Sequence, residues 1–267
     1  MAKLYKEMSG SGGHWYTTDG QPRHFIQGKT GESRPTTLRD ARKMLLVPSV
    51  TGIIGVLNKP ALSDWRLRTV AEKAAEIELK GEVTDAVFKD LKDQAFAQVA
   101  TAADLGSRLH ATLEHLLLTG EEPVGEMAEY LAPVVEFLET VNISPTSVEK
   151  ILVNPKHGFA GTVDLLFTWG DGKVGILDWK TRRTREGQKV RAYDGQDLQL
   201  AAYAATAYGE DRINEVIAAN VVISTTEPGR MEVLRHENLG GAWSTFQACC
   251  AIWRHLKKYD PRLADNG

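Results

Sequence analysis

One stretch decides how this chain folds: Gly161-Thr-Val-Asp-Leu-Leu-Phe-Thr-Trp-Gly-Asp-Gly-Lys-Val-Gly-Ile-Leu-Asp-Trp-Lys180. Its two apolar segments are typical of β-strands, and the Gly-Asp-Gly sequence between them is a turn signal. The stretch therefore predicts two neighbouring antiparallel strands, over about 159–169 and 173–179. Each strand carries one carboxylate in or beside its apolar run, Asp164 in the first and Asp178 in the second.

The segments on either side of this hairpin predict a mixed sheet with helices packed against it. The other predicted strands lie over about 147–154, 216–224 and 230–236, the last of them at an edge. Predicted helices run from Ser49 to Leu57, from Ser63 towards Leu79, over 84–118 with a join near Thr101, and over 124–141, 195–208 and 242–259. This order of helices and strands predicts an α/β fold.

We expect one large domain that follows an N-terminal arm. Residues 1–44 are rich in Gly, Ser, Thr and charge, which predicts a partly flexible arm with a short hairpin around Trp15 to Phe25 and regular order from Leu45. Residues 45–260 are long enough to bury a core. Within them we expect a helical part over about 45–145, core sheet and helices over about 100–225, and a C-terminal strand and helix over about 229–259.

The composition excludes several classes of protein. No apolar run approaches the roughly 20 residues of a membrane helix, and the first residues lack an apolar signal core, so we expect a cytoplasmic protein without a membrane partner. A formal net charge of −3 argues against a protein that coats nucleic acid non-specifically. The adjacent Cys249 and Cys250 cannot form a four-cysteine metal site, and we interpret them as two helix thiols.

The tripeptide Asp178-Trp179-Lys180 ends the second strand of the hairpin. Side chains two residues apart on a strand share a face, so the carboxylate and the ammonium group point into the same space. Such an acid can bind a divalent cation, and the lysine can orient an attacking water and offset charge on a phosphate. Trp179 points the other way, which leaves its backbone carbonyl as a metal ligand. The alternative for Asp164 is that it faces solvent on an alternating strand.

Two helices add pairs of polar residues at a spacing of four, which places each pair on one helix face. The first pair is His110 and Glu114, with Gly106 one turn earlier permitting close approach. An imidazole would complete a metal site in which manganese can substitute for magnesium. The second pair is Gln199 and Tyr203, which could contact substrate or a metal-bound water. Either pair could instead be packed or surface residues of an ordinary helix.

A basic loop follows the proposed catalytic lysine. The segment from Lys180 to Arg191 holds six cations against one anion. A charge run is commonly a solvated surface, but this one begins at the predicted site, which favours contact with a phosphate backbone. The candidate DNA-binding residues in it are Arg182, Arg183, Arg185 and Lys189.

Together these residues resemble the PD-(D/E)XK nuclease superfamily, in particular its RecB-like branch. That branch has four motifs in order, matched here by Gly106/His110/Glu114, Gly161/Asp164, Asp178/Lys180 and Gln199/Tyr203. The upstream Pro48-Ser-Val-Thr51 segment and the Trp65-Arg66 helix are similar to phage exonucleases and to the mitochondrial genome maintenance exonuclease. They add Ser49, Thr51 and Arg66 as candidate DNA-binding residues.

The resemblance implies a restriction-endonuclease-like core, with a central mixed sheet flanked by helices and a helical N-terminal extension. It implies that magnesium, with manganese expected to substitute, is held by His110, Asp164, Asp178 and the Trp179 carbonyl. Lys180 would generate and aim the hydroxide, and Glu149 is a candidate of lower weight near the metal. The remaining catalytic candidates are Glu114, Gln199 and Tyr203.

The activity implied by the resemblance is a metal-dependent DNA exonuclease that acts on single strands or duplex ends. Its context would be phage or bacterial DNA recombination, repair or degradation, in a bacterial or phage-infected cell, and a homo-oligomer or a recombination partner protein is left open. Neither an iron–sulfur cluster nor ATP is expected, because the cysteine quartet and the phosphate-binding loop are missing. The alternatives are a catalytically inactive DNA- or partner-binding module and a glycosidase, although a glycosidase would not explain Lys180.

Overall fold

The N-terminal part of the structure consists of short strands and one capped helix. The computed structural model describes residues 13–262, which begin with β1 (Trp15–Tyr16), β2 (Phe25–Gln27), β3 (Ser33–Pro35), α1 (Leu38–Met44) and β4 (Val47–Pro48). Strand β1 pairs antiparallel with β4, and both of its residues are buried. Regular structure therefore starts well before Leu45, because two aromatic side chains supply the apolar area that fixes this segment. Residues 1–12 of the predicted arm lie outside the described residues, and the division into arm and domain stays a prediction.

The two ends of the described chain meet beside this segment. The Trp15 and Trp253 rings contact edge to face, with centroids 6.1 Å apart. The Tyr259 hydroxyl donates a hydrogen bond of 2.8 Å to the carbonyl oxygen of Leu46. Contacts from opposite ends of the sequence thus close the same part of the core.

A series of helices follows: α2 (Val50–Ile54), α3 (Pro60–Glu76), α4 (Asp85–Ala95), α5 (Ala97–Thr119) and α6 (Glu126–Val141). The Ser49 hydroxyl caps α2 by accepting a hydrogen bond from the Gly52 amide. Helix α3 begins at Pro60 rather than at the predicted Ser63, because a proline in the first helical turn lacks only an N–H that would have no partner there. The predicted join near Thr101 falls instead at Phe96.

The centre of the fold is a five-stranded mixed sheet. Its elements are β5 (Ser144–Asn154), β6 (Phe159–Thr168), β7 (Val174–Arg182), α7 (Gln196–Tyr208), β8 (Ile217–Ser224), β9 (Met231–Arg235) and α8 (Leu239–Lys257). The strands lie in sequence order, and only β7 and β8 pair in parallel. Helix α7 supplies the crossover that a parallel pair requires. The predicted α/β architecture, a mixed sheet flanked by helices, is confirmed.

Both faces of the sheet are covered by helices. Leu166 and Ile176 belong to a core that includes residues of α7 and α8. Their neighbours Leu165 and Leu177 belong to a second core, which includes residues of α5 and α6. Because both faces of the sheet are buried, the stretch from Gly161 to Lys180 contains nearly continuous apolar runs instead of a strict alternation of apolar and polar residues. Among the described residues, no helix has the length and apolar character needed to cross a membrane.

Strands β6 and β7 separate partway along their length. Their pairing runs from Thr168 opposite Val174 to Leu165 opposite Leu177. Beyond that point β6 stays paired with β5 as far as Phe159, while β7 stays paired with β8 as far as Arg182. A gap therefore opens between the two central strands, and the next residue on each side of it is an aspartate.

Candidate active site

The gap between β6 and β7 is lined by the two aspartates that the sequence singled out. Asp164 on β6 is half-buried, and Asp178 on β7 is only 1% exposed. The Trp179 amide donates a hydrogen bond of 2.7 Å to Asp164 Oδ2. At Trp179 strand β7 is no longer paired with β6, and the Asp164 carboxylate supplies the hydrogen-bond acceptor that the Trp179 N–H needs. The Trp179 indole packs into the core on the α5 side, so only the backbone of this residue is available to the gap.

Three elements bring potential metal ligands together beside Asp164. One ligand atom each from His110 on α5, Glu149 on β5 and Asp164 on β6 lie within 4.8 Å of one another. Ligand atoms bound at roughly 2.0–2.2 Å from one ion lie up to about 4.4 Å apart, so small side-chain movements would let all three bind the same ion. Two carboxylates suit magnesium or manganese, and the imidazole favours manganese further. The residues therefore fit a divalent cation.

Glu149 reaches this cluster from a distorted backbone. Its φ of 47° lies in the left-handed region, although it sits inside a strand. The regular pairs Val148 with Leu165 and Lys150 with Val163 flank it, and it forms no such pair itself. A non-glycine residue in this conformation costs roughly 1–3 kcal/mol, and such strain concentrates at functional positions. Nothing in the local sequence signals this distortion.

Burial and mutual repulsion perturb the acids of the cluster. Burial, together with the charge of Asp178, raises the pKa of Asp164 well above its usual value. Burial and the nearby charges of Glu114 and Asp178 raise the pKa of Glu149 to about 7. The half-buried Glu114 thus lies close enough to the cluster for its charge to be felt. A cation bound among these groups would relieve the crowding of negative charge.

The imidazole of His110 is suited to metal binding in its neutral form. Burial lowers its pKa, and the charge of Lys180 lowers it further. A neutral ring keeps a lone pair free for a cation. His115, the other histidine on this helix, is exposed and pairs with Glu121 at 2.8 Å.

Asp178 and Lys180 form a buried network with α7. Lys180 Nζ lies 2.6 Å from Asp178 Oδ2. Gln199 links the two, because its Nε2 donates to Asp178 Oδ1 at 3.2 Å and its Oε1 accepts from Lys180 at 3.3 Å. The same Nε2 lies 3.3 Å from the Tyr203 hydroxyl. The structure thus brings the residues predicted on β7 and α7 together, although their catalytic roles stay predictions.

The charge of Lys180 is fixed by its neighbours. Burial alone would lower its pKa, but the carboxylates of Asp178 and Asp164 outweigh that effect and raise the pKa above its usual value. The side chain therefore stays protonated at neutral pH. In this form it can act as a cation and a hydrogen-bond donor.

A second carboxamide completes the environment of Asp178. Asn220 on β8 is fully buried and donates through Nδ2 to Asp178 Oδ2 at 2.6 Å. Its Oδ1 lies 2.7 Å from Nε2 of His236, just past β9. Because Oδ1 can only accept, the His236 Nε2 must carry the proton. The sequence interpretation missed both residues, although an asparagine inside the apolar run Ala218-Ala-Asn-Val-Val222 was a visible signal.

Two glycines allow the elements of the site to approach one another. A Cβ atom on Gly161 would lie 2.8 Å from Tyr203 Cε1, so any side chain there would displace the tyrosine. A Cβ on Gly106 would collide with the Thr181 hydroxyl, which shows how closely α5 approaches β7. The motif glycines therefore set distances within the site.

The candidate DNA-binding residues lie on separate elements and differ in exposure. Arg183, Arg185 and Lys189 are exposed on the loop after β7, and Thr51 and Arg66 are exposed on α2 and α3. Arg182 is folded inward, where its Nη1 donates to the Arg191 carbonyl oxygen at 2.8 Å. Ser49 is buried, and its role as the cap of α2 accounts for it without a DNA contact.

Comparisons with known proteins place this geometry in a wider context. A family model described as the PD-(D/E)XK nuclease superfamily matches residues 69–238. A solved structure described as "Crystal structure of SSO0001" is 16% identical, with a TM-score of 0.34 over 76% of this chain and 89% of that chain. A likeness at this level does not bear on function. The comparison with curated proteins gave no significant match.

Proposed function

The chain belongs to the PD-(D/E)XK nuclease superfamily, and we propose that it is a metal-dependent exonuclease that hydrolyses DNA phosphodiester bonds. Membership of this superfamily indicates nuclease activity. The observation that carries the proposal is the convergence of His110, Glu149 and Asp164 beside the Asp178–Lys180 pair. Carboxylates for a cation next to a fixed ammonium group are what phosphodiester hydrolysis needs.

We propose magnesium as the natural metal, with manganese able to replace it. His110, Glu149 and Asp164 would hold the ion, and we propose Asp178 and the Trp179 carbonyl as further ligands. When bound, a divalent cation there would polarise the scissile phosphate and neutralise the charge that builds on it. We expect neither an iron–sulfur cluster nor ATP to take part.

The residues of the network would position and stabilise the reacting groups. Protonated Lys180 would donate a hydrogen bond to the attacking water or to a phosphate oxygen and offset the developing negative charge. Asp178 and Gln199 hold its ammonium group from two sides, which limits its freedom before substrate arrives. Tyr203 supports Gln199 through the contact between its hydroxyl and Nε2.

DNA is proposed as the substrate because of the basic loop beside the gap. Arg183, Arg185 and Lys189 are exposed there and can follow a phosphate backbone. We propose a role in phage or bacterial recombination, repair or DNA degradation, in the cytoplasm. A homo-oligomer or a recombination partner would be compatible with that role.

The direct test is digestion of end-labelled single-stranded and duplex DNA, with magnesium, with manganese and with a chelator. We expect metal-dependent release of nucleotides from ends, while closed circular DNA resists. The variants Asp164→Asn and Lys180→Met should lose cleavage, whereas His115→Ala, which removes an exposed histidine from the same helix as His110, should keep it. DNA binding without any cleavage by the wild type would favour the alternative of an inactive binding module.

Cutting of circular DNA would refute the exonuclease part of the proposal while leaving a nuclease. Undiminished cleavage by Lys180→Met would refute the assigned role of the lysine. Circular dichroism of each variant would show whether a lost activity reflects a lost fold.

A further inference from the structure

An exposed aromatic side chain stands at the edge of the proposed site. Tyr193, in the loop between β7 and α7, is 63% exposed. Its backbone is nevertheless fixed, because its amide donates a hydrogen bond of 2.8 Å to Oε1 of Gln196. Gln196 is buried at the first turn of α7. The ring is therefore anchored to the rigid part of the molecule although it faces solvent.

Arg182 covers one face of this ring. Its guanidinium carbon lies 4.1 Å from the ring centroid, within range of a cation–π contact. Its Nη1 is held by the Arg191 carbonyl oxygen. Because Arg182 covers one face of the Tyr193 ring, the exposed area of the side chain belongs to the opposite face and the ring edge. The ring therefore presents a flat surface to solvent.

Two further donors of Arg182 lie below the surface near the ring. Its Nε and Nη2 are buried and have no hydrogen-bond partner in the part of the chain that the structure describes. Buried donors of a charged group are costly to leave unpaired.

The Arg182–Tyr193 pair lies beside the proposed site, on the same strand as Lys180. Asp178, Lys180 and Arg182 alternate along β7 and share one face. Two residues along a strand span about 7 Å, so Arg182 lies that far from the catalytic lysine along β7. A nucleotide strand with its scissile phosphate at Lys180 can reach Tyr193 with a neighbouring nucleotide.

We propose that Tyr193, backed by Arg182, is a stacking platform for an unpaired nucleobase of the substrate. Aromatic rings bind single strands by stacking, because every base has an accessible π-face once it leaves its neighbours. A base inside a duplex has both faces occupied and cannot stack on this ring. The inference rests on the proposed function and deepens it: the substrate that reaches the site is a single strand or a melted duplex end.

The test measures equilibrium binding without cleavage. Labelled oligothymidine and a blunt hairpin duplex are titrated with protein in chelator and in calcium, and binding is followed by fluorescence anisotropy. Tyr193→Ala should bind the single strand about 5- to 150-fold more weakly, with little change for the blunt duplex. Tyr193→Phe should match the wild type, because it keeps the ring. Phe88→Ala removes another exposed aromatic residue, on α4, and serves as the matched control.

A scan with single abasic positions in the oligonucleotide tests the stacking contact itself. The wild type should lose affinity when one particular base is missing, and Tyr193→Ala should show no further loss at that position. Unchanged affinity in Tyr193→Ala, an abasic penalty that persists in this variant, or failure of the wild type to bind a single strand would each overturn the inference. Wild-type cleavage is measured in parallel with magnesium, so that a protein that stacks a base but never cuts would sink the proposed function alone.

Discussion

Replacing Asn220 by leucine would test how strongly the Asp178 carboxylate, and the activity proposed for it, depend on its buried hydrogen-bond donor. The side chain is similar in size but cannot donate to Asp178 Oδ2, to which Asn220 donates at 2.6 Å. Because Asn220 is fully buried, water cannot take its place. A hydrogen bond to a charged group contributes about 1.5–3 kcal/mol, and the substitution also strands the Nε2–H of His236. We therefore expect the free energy of unfolding to fall by about 2–3 kcal/mol.

The effect on catalysis should be of similar size. If the same free energy is removed from the stabilisation of the transition state, kcat/KM for DNA cleavage falls about 30- to 160-fold. Urea denaturation gives the stability change, and initial rates on end-labelled DNA give the activity. His236→Gln should keep both near wild-type values, because its amide can donate from the position of Nε2, whereas His236→Leu should resemble the Asn220 variant. Equal behaviour of the two His236 variants, or full activity without Asn220, would refute this reasoning.

Three further predictions concern the metal, the substrate and pH. Glu149→Gln should weaken manganese binding by at least about tenfold in calorimetric titration of the metal alone, and unaltered affinity would exclude Glu149 as a ligand. Neutralising Arg185 and Lys189 should flatten the dependence of log Kd on log salt by roughly 0.7–0.9 for each phosphate that the protein no longer neutralises; an identical slope would remove this loop from the DNA path. Burial lowers the pKa of His24, which accepts a hydrogen bond from the Trp15 amide, to about 4. The stability that neutral His24 contributes should therefore be fully present above about pH 6.5 and be lost as the pH falls towards 4. Thermal unfolding of His24→Gln should show a smaller fall over the same pH range.

The sequence predicted the elements of the core well, because their signals are local. The turn at residues 170–172 defines the hairpin, and unbroken apolar runs mark strands buried on two sides. The spacing of four between His110 and Glu114, and between Gln199 and Tyr203, identified helix faces that the structure directs towards the gap. Each of these inferences needs only the period of a helix or a strand.

The parts that the sequence interpretation missed, or weighted low as it did Glu149, depend on tertiary structure. Glu149 reaches the metal-ligand cluster because its backbone adopts a left-handed conformation, which no neighbouring residue in the sequence requires. His236 reaches Asp178 only through Asn220, and this chain of hydrogen bonds crosses from β7 through β8 to the edge strand. Trp15 lies in a segment whose composition predicts a loose arm, but its burial depends on Trp253 near the other end of the chain. Such pairings follow from the order of strands and helices in space.

The meeting of the two chain ends has a consequence for biosynthesis. Trp15 leaves the ribosome early, whereas Trp253 and Tyr259 emerge far later, and a chain grows at roughly 5–20 residues per second. Until then Trp15 lacks the Trp253 ring that packs against it in the folded protein. The nascent protein must therefore carry an unburied apolar segment through nearly the whole translation of these residues, and its closure is a late event of high contact order.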